Sequence, residues 1–250
     1  MRRTTLAPAA VATAVGTSGI TGDAAYVHRL ATGAVGTCVV DGIGHSPRIT
    51  ARAALLAEVG ARIAGTRGPL HGILAAAELI SDPGPDDAPE EDAVAVAAAV
   101  HPGSQHVQIA WTGDCAAWAY DPDSQLMVKT TTDQTMGAYL RTVNPGGPSA
   151  LAEHHDAWVR ASLARSSIAT VRETEVTSPL VLLTTDGVHD VLTATEISQI
   201  VQGYLRGAYG GGHDEMARHL IRQSQAIAAK RGGEVDDATV VVLALLQPSA

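Results

Sequence analysis

At 250 residues the chain has the length of one fairly large domain or two small ones. Hydrophobic residues make up 46% of it and Phe is absent, so a core must be built from Val, Leu, Ile and Ala, which suit sheets and closely packed helices. A net charge of -9, with 17 Lys and Arg and no basic block, argues against nucleic acid as a partner, and no apolar run reaches the ~18 residues of a membrane span.

The N-terminus, "MRRTTLAPAAVATAVG", sets two arginines before an Ala/Val stretch in the manner of a signal peptide. That stretch is short, broken by Pro8 and Thr13 and only weakly hydrophobic, so it reads as the first strand of a mature, cytoplasmic protein. "AVGTCVVDG" is a second strand, ending at Asp41-Gly42. "SPRITARAALLAEVGARIAG" predicts a helix with Leu55, Val59 and Ile63 on one face, and "PLHGILAAAELIS" a second helix after the Gly68-Pro69 break. "DPGPDDAPEED", residues 82–92, reads as an acidic, solvated loop. "AVAVAAAV", "HVQIAWTGD" and "AAWAYD" are strands, and the turn "DPDSQ" leads into "LMVKTT" as a hairpin meander.

Residues 133–178 are irregular, with a short helix expected around "HHDAWVRASLARS"; insertions of that length are often functional. After the apolar "LVLLTTDG", Thr193 and Glu196 form a capping box for a helix striped by Ile197, Ile200, Val201, Tyr204 and Leu205. A further helix carries Met216, Leu220, Ile221 and Ile227, and "ATVVVLALL" closes the chain as a buried strand. Helices thus come in pairs between runs of strands. That order favours antiparallel sheets covered by helices over a Rossmann-type sheet, and no Gly-rich phosphate loop opposes it. Cys38 and Cys115 lack metal-ligand spacing and read as buried thiols.

Aspartates recur at strand ends: Asp41 in "TCVVDG", Asp114 in "IAWTGD", Asp186 in "VLLTTDG", and Asp236 and Asp237 in "GEVDDATVVV". Each either caps a turn or contributes oxygen to a hard cation such as magnesium or manganese.

The order of these motifs resembles the PPM-type metal-dependent protein phosphatases, the protein phosphatase 2C-like family in its bacterial type, over nearly the whole chain. "VVDGIGH" is similar to the family's "DGxGG", "WTGDCAAWAY" to "GDSRxY" and "TTTDQT" to "LTxDHS". "LLTTDGVHDVLTATEI" is similar to "LLxSDGLxDxLSxxEI", and "VDDATVVVL" to "xDNxTVVxV". The resemblance implies a single α+β layered domain, an αββα sandwich of two mainly antiparallel sheets between helix pairs, with 133–178 as a flap. It implies two manganese or magnesium ions with a weaker third. Asp41, Asp186 and Asp236 would be the catalytic metal ligands, joined by the Gly42 carbonyl, with Asp114 and Asp190 at the third ion. Asp23 and Asp237 would stand behind them. It further implies hydrolysis of phosphoserine or phosphothreonine proteins by a metal-bridging hydroxide, opposite a cognate kinase pathway.

The first motif departs from this pattern. In "SGITGDA", Ser18 stands where the family's phosphate-gripping arginine belongs and Gly22 where its glutamate ligand belongs. Losing a charged hydrogen-bond partner costs about 1.5–3 kcal/mol. Arg2, Arg3 or Arg48 would have to substitute, or the domain is a phosphatase-like binding module with little turnover. His45 is a general-acid candidate or a solvated loop residue, while His189, His154 and His155 are expected at the surface.

Overall fold

A computed structural model describes residues 8–81 and 91–245, and among them ten strands pair into two antiparallel sheets. The first sheet runs, in spatial order, β1 (Ala9–Ala14), β10 (Ala238–Ala244), β9 (Leu180–Thr184), β6 (Ala116–Asp121) and β7 (Leu126–Lys129). The second runs β2 (Ala24–Arg29), β3 (Val35–Gly42), β4 (Ala93–Val100), β5 (His106–Thr112) and β8 (Arg172–Thr177). Helices α1 (Pro47–Arg67) and α2 (Pro69–Ala77) cover the second sheet; α6 (Ala194–Leu205) and α7 (Gly212–Arg231) cover the first. This is the αββα sandwich expected from the sequence.

Strand alternation sorts one sequence into two cores. On β3, Val35 and Val39 face the other sheet and meet Val181, Leu183, Val241 and Leu243. Their neighbours Cys38 and Val40 turn outward onto Leu56 and the alanines of α1. Likewise Leu182, Val240 and Val242 of the first sheet pack under Ile197, Val201, Met216 and Leu220. Strands clad on both faces read as continuous apolar runs, which explains β4 and β10, buried at every position.

Helix α1 begins where Ser46 accepts a bond from the Ile49 amide (3.1 Å) and Pro47 occupies the first turn. Its core face differs from the Leu55, Val59 and Ile63 stripe: Leu55 is 52% exposed, and Ala53, Leu56, Ala57, Gly60, Ala61 and Ala64 are buried. Close approach is the reason. A Cβ added at Gly36 would lie 2.2 Å from the Ala61 carbonyl oxygen, and one at Gly60 would lie 2.7 Å from Cys38 Sγ. Glycine and alanine are what fit at the points of closest approach between helix and sheet.

Other local expectations need revision. Strands β6 and β7 form the expected hairpin, but β5 and β6 belong to different sheets, so the meander is split. The chain crosses over at Gly113, whose φ of 90° and contact with Val94 leave no room for a side chain. Within 133–178 the helices are α3 (Met136–Val143), capped by Thr135, and α4 (Ser149–Glu153); the stretch 154–166 holds only a 3-10 turn at Leu163–Arg165. Two strands, β2 and β8, were not anticipated, because "AAYVHR" and "RETEVT" sit at sheet edges with little burial. Residues 82–90 of the acidic loop, and Arg2 and Arg3, lie outside the described residues. No helix among the described residues is long and apolar enough to cross a membrane.

Strand registers place the acids together. In the first sheet Ala14 pairs with Ala238, and Thr184 pairs with both Val240 and Ala116. In the second, Val40 pairs with Ala24 and Ala95, and Ala95 with Thr112. The residues just past these rungs, at positions 23, 41, 114, 186 and 236, therefore emerge along one edge of the sandwich.

Candidate active site

A cavity of about 650 Å³ opens at that edge. Asp41 reaches it from the end of β3, Asp114 from the crossover after β5, Asp186 from the start of the short helix α5 (Asp186–His189), and Asp236 from the turn before β10. Gly42 lines it as well. Four strand ends that are distant in sequence thus deliver four carboxylates to one space. His45 stands on the lining, and His154 and Trp158 line the cavity from the 133–178 side.

Asp190, at the C-cap of α5, is exposed and does not line the cavity. Its charge still reaches Asp114 and Asp186, so it belongs to the rim of the group. Asp23 is buried behind the site, where its Oδ2 accepts the Thr185 hydroxyl (2.7 Å) and fixes the residue before Asp186. Asp237 is also buried, and its two carboxylate oxygens accept the amides of Gly16 and Gly22 (both 2.7 Å). It ties the loop after β1 to the start of β10.

The charge balance of the site is one-sided. Burial, followed by the charges of Asp23, Asp186, Asp114 and Asp236, holds Asp41 well above the ordinary carboxylate range. Burial, then Asp236 and Asp114, pushes Asp186 up to about 8. Burial likewise raises Asp114 to about 6 and Asp23 to about 7. Among the described residues, no Lys or Arg lines the cavity; the nearby Lys129 is already paired with Asp133 (2.6 Å). Repelling carboxylates without a protein cation are the donor set of a hard divalent ion.

Among the described residues, no three acidic, histidine or cysteine side chains are grouped closely enough to hold a metal ion by themselves. Magnesium-type ions ordinarily bind through one or two carboxylates and complete their coordination with water and phosphate oxygens, for which the cavity has room. The donors present therefore fit such ions.

The loop that departs from the family pattern is closed, not merely substituted. A Cβ on Gly22 would lie 2.8 Å from the Gly42 carbonyl oxygen and 3.0 Å from that of Gly44. The Gly42 amide in turn donates to the Gly22 carbonyl (3.1 Å). No glutamate could enter there on this backbone. Ser18 is exposed and bonds Ile20 within its own turn (2.9 Å). Arg48 pairs with Glu91 (3.1 Å) and is not part of the cavity lining.

One histidine expectation is corrected. His189 is drawn inward, with Nδ1 2.9 Å from the Thr184 hydroxyl. That hydroxyl already accepts Trp118 Nε1 (3.2 Å), so its own proton is left for the imidazole. Burial pushes His189 down to about 3, keeping it neutral, and its ring also bonds the Asp114 backbone. It braces the crossover that carries Asp114. His154 is exposed, as expected, and also lines the cavity, whereas His155 stacks on Trp158 with ring centroids 5.6 Å apart. His154 and Trp158 carry no sequence signal beyond membership of a long irregular stretch.

No protein-family model matches the sequence. No curated protein matches it. Solved structures match it from end to end. A bacterial serine phosphatase superposes with a TM-score of 0.76 at 15% identity, covering 98% of this chain and 100% of that one. A serine/threonine phosphatase of S. agalactiae gives 0.74 at 14%, covering 96% and 100%. The PPM Ser-Thr phosphatase MsPP of Mycobacterium smegmatis, in complex with cacodylate, gives 0.68 at 18%, covering 96% and 98%. Two five-stranded antiparallel sheets between helix pairs, matched over essentially their full extent, give this chain the fold of the PPM-type serine/threonine phosphatases.

Proposed function

We propose that the protein is a metal-dependent phosphatase acting on phosphoserine or phosphothreonine in proteins. The observation that carries this reading is the convergence of Asp41, Asp114, Asp186 and Asp236 on one cavity at the sandwich edge, with no Lys or Arg among the described lining residues to balance them. Asp41, Asp186 and Asp236, with the Gly42 carbonyl, would hold two manganese or magnesium ions, and Asp114 and Asp190 would support a weaker third. When bound, such ions supply positive charge to the phosphate oxygens and lower the pKa of water beside them.

The chain's own residues do the rest. The Asp23–Thr185 and Asp237–Gly22 bonds hold the strand ends in place without occupying the cavity. His154, Trp158 and Val159 line the flap side of the cavity, beside which the substrate would lie. A water oxygen adds to phosphorus opposite the departing serine or threonine oxygen, which leaves with a proton. His45 and His154 are the two imidazoles on the lining able to hand over that proton. A protein kinase would be the counterpart that writes the phosphate. Both cysteines are free and buried, which suits the cytoplasmic setting we propose.

The test is hydrolysis of p-nitrophenyl phosphate and of a phosphothreonine peptide, with manganese, magnesium or EDTA. Metal-dependent turnover that falls at least 100-fold in Asp41→Asn and Asp236→Asn is expected. Equal turnover in parent and variants would remove the proposal. The closed loop at Gly22 favours a second reading, a domain that binds phosphopeptides with little turnover. Metal-dependent peptide binding by calorimetry without phosphate release would select it.

A further inference from the structure

Beyond the segment 157–161 from the acidic cavity lies a second and larger hollow, of about 730 Å³, with the opposite electrostatic character. Ala157, Trp158 and Val159 line the first cavity, Arg160 and Ala161 the second. Gln134 joins them: it lines the second hollow while its side-chain oxygen accepts the Gly113 amide (2.8 Å), next to Asp114. The two spaces therefore share one wall.

Charges in this hollow do not cancel. Asp133 is paired with Lys129 (2.6 Å), and Arg141 is held in a two-point bond by Asp156 (2.6 Å at each oxygen). That leaves Arg160 and Arg172, both exposed and without a carboxylate partner among the described residues. Arg160 lies over the Tyr139 ring, 3.9 Å from its centroid. Stacking fixes the guanidinium plane while leaving its N–H edge open, so little freedom is lost when it grips an oxyanion. Threonines 131, 132, 135, 142 and 170 add hydroxyls to the same walls. Two unbalanced arginines are notable in a chain whose net charge is -9.

We propose that this hollow is a docking subsite for an acidic segment of the phosphoprotein substrate, carboxylate or second phosphate, flanking the residue held in the acidic cavity. The assignment rests on the phosphatase reading for its substrate class. A space of that volume is about 9 Å across, room for two to three extended residues at roughly 3.3 Å each. Arg160 and Arg172 would take the anionic oxygens, and the threonines the peptide groups between them.

Fluorescence anisotropy on the full chain with manganese tests this independently of turnover. The probes are labelled phosphothreonine peptides with neutral, Asp/Glu-containing and doubly phosphorylated flanks. Two partly exposed charge contacts predict about 5–20-fold tighter binding of the acidic flanks at low salt, shrinking as salt rises. In the Arg160→Gln/Arg172→Gln pair this preference should vanish, with p-nitrophenyl phosphate hydrolysis unchanged. Arg172→Gln alone, on the edge strand β8, provides a partial loss should the double variant fail to fold. The Asp/Glu and second-phosphate arms distinguish which anion is preferred. Equal binding of neutral and acidic peptides, or a preference that survives both substitutions, overturns the proposal. An oligonucleotide of equal charge bound as tightly overturns it too. Absent hydrolysis with the binding preference intact would sink the phosphatase reading and leave the subsite standing.

Discussion

Replacing Asp186 by Asn should stabilise the metal-free protein while disabling it. Asp186 has an ordinary value of 3.8 and is raised to about 8 in the fold by burial and by Asp236 and Asp114. A raised folded value means no penalty below 3.8, a penalty that grows as pH climbs, and its full extent once pH passes 8. From 3.8 to pH 7 is about three pH units, and at about 1.4 kcal/mol per unit the metal-free fold is weakened by about 4 kcal/mol. Asparagine has nearly the same shape and no charge to bury. For a chain of this size each kcal/mol moves Tm by about 2–4 °C, so Asp186→Asn should melt roughly 8–16 °C above the parent. The assay is a thermal melt in EDTA at pH 7, repeated at pH 4, where the gain should disappear. With manganese the order should reverse, because the parent then gains binding energy that the variant lacks. A variant melting at or below the parent in EDTA at pH 7 would show that the site is not a nest of uncompensated charge.

Restoring the family's glutamate by Gly22→Glu should destabilise the protein by about 1–3 kcal/mol instead of improving metal affinity, since the new Cβ meets the Gly42 and Gly44 carbonyls. Denaturant melts and manganese titration decide it; tighter metal binding without loss of stability goes against the observed backbone. Asp237→Asn should lower both stability and turnover, because one amide oxygen cannot replace the two carboxylate oxygens that hold Gly16 and Gly22; urea unfolding and phosphatase rates measured together check this. Thr193→Ala removes the capping box of α6 and should cost about 1 kcal/mol with kcat/KM unchanged. Burial pushes the Cys38 thiol up to about 12, so iodoacetamide at pH 8 should leave it unmodified in the folded protein, as read by mass spectrometry.

The elements most legible in the sequence were those with a strong local signal. Continuous Val/Ala/Leu runs gave β3, β4, β9 and β10, and the Thr193/Glu196 capping box gave the start of α6. The aspartates stood out for the same reason, since each stands at one end of an apolar run that cannot continue into a charged residue without reaching a surface. Paired helices between strand runs were enough to favour the layered class. The polar strand β8 and the helix α3 lacked such a signal, being stabilised by what they pair with or by a single cap.

Tertiary structure alone decided which residues share a space. Registers in two separate sheets bring positions 41, 114, 186 and 236 to a common edge, and no local pattern encodes a register set by distant partners. The same holds for the alanine face of α1, chosen by how closely β3 approaches, and for His189, turned inward by Thr184 and Asp114. Sequence determines which side chains are available and where the backbone must turn; packing between remote strands determines which of them face each other, because that choice minimises voids and unpaired polar groups over the whole molecule at once.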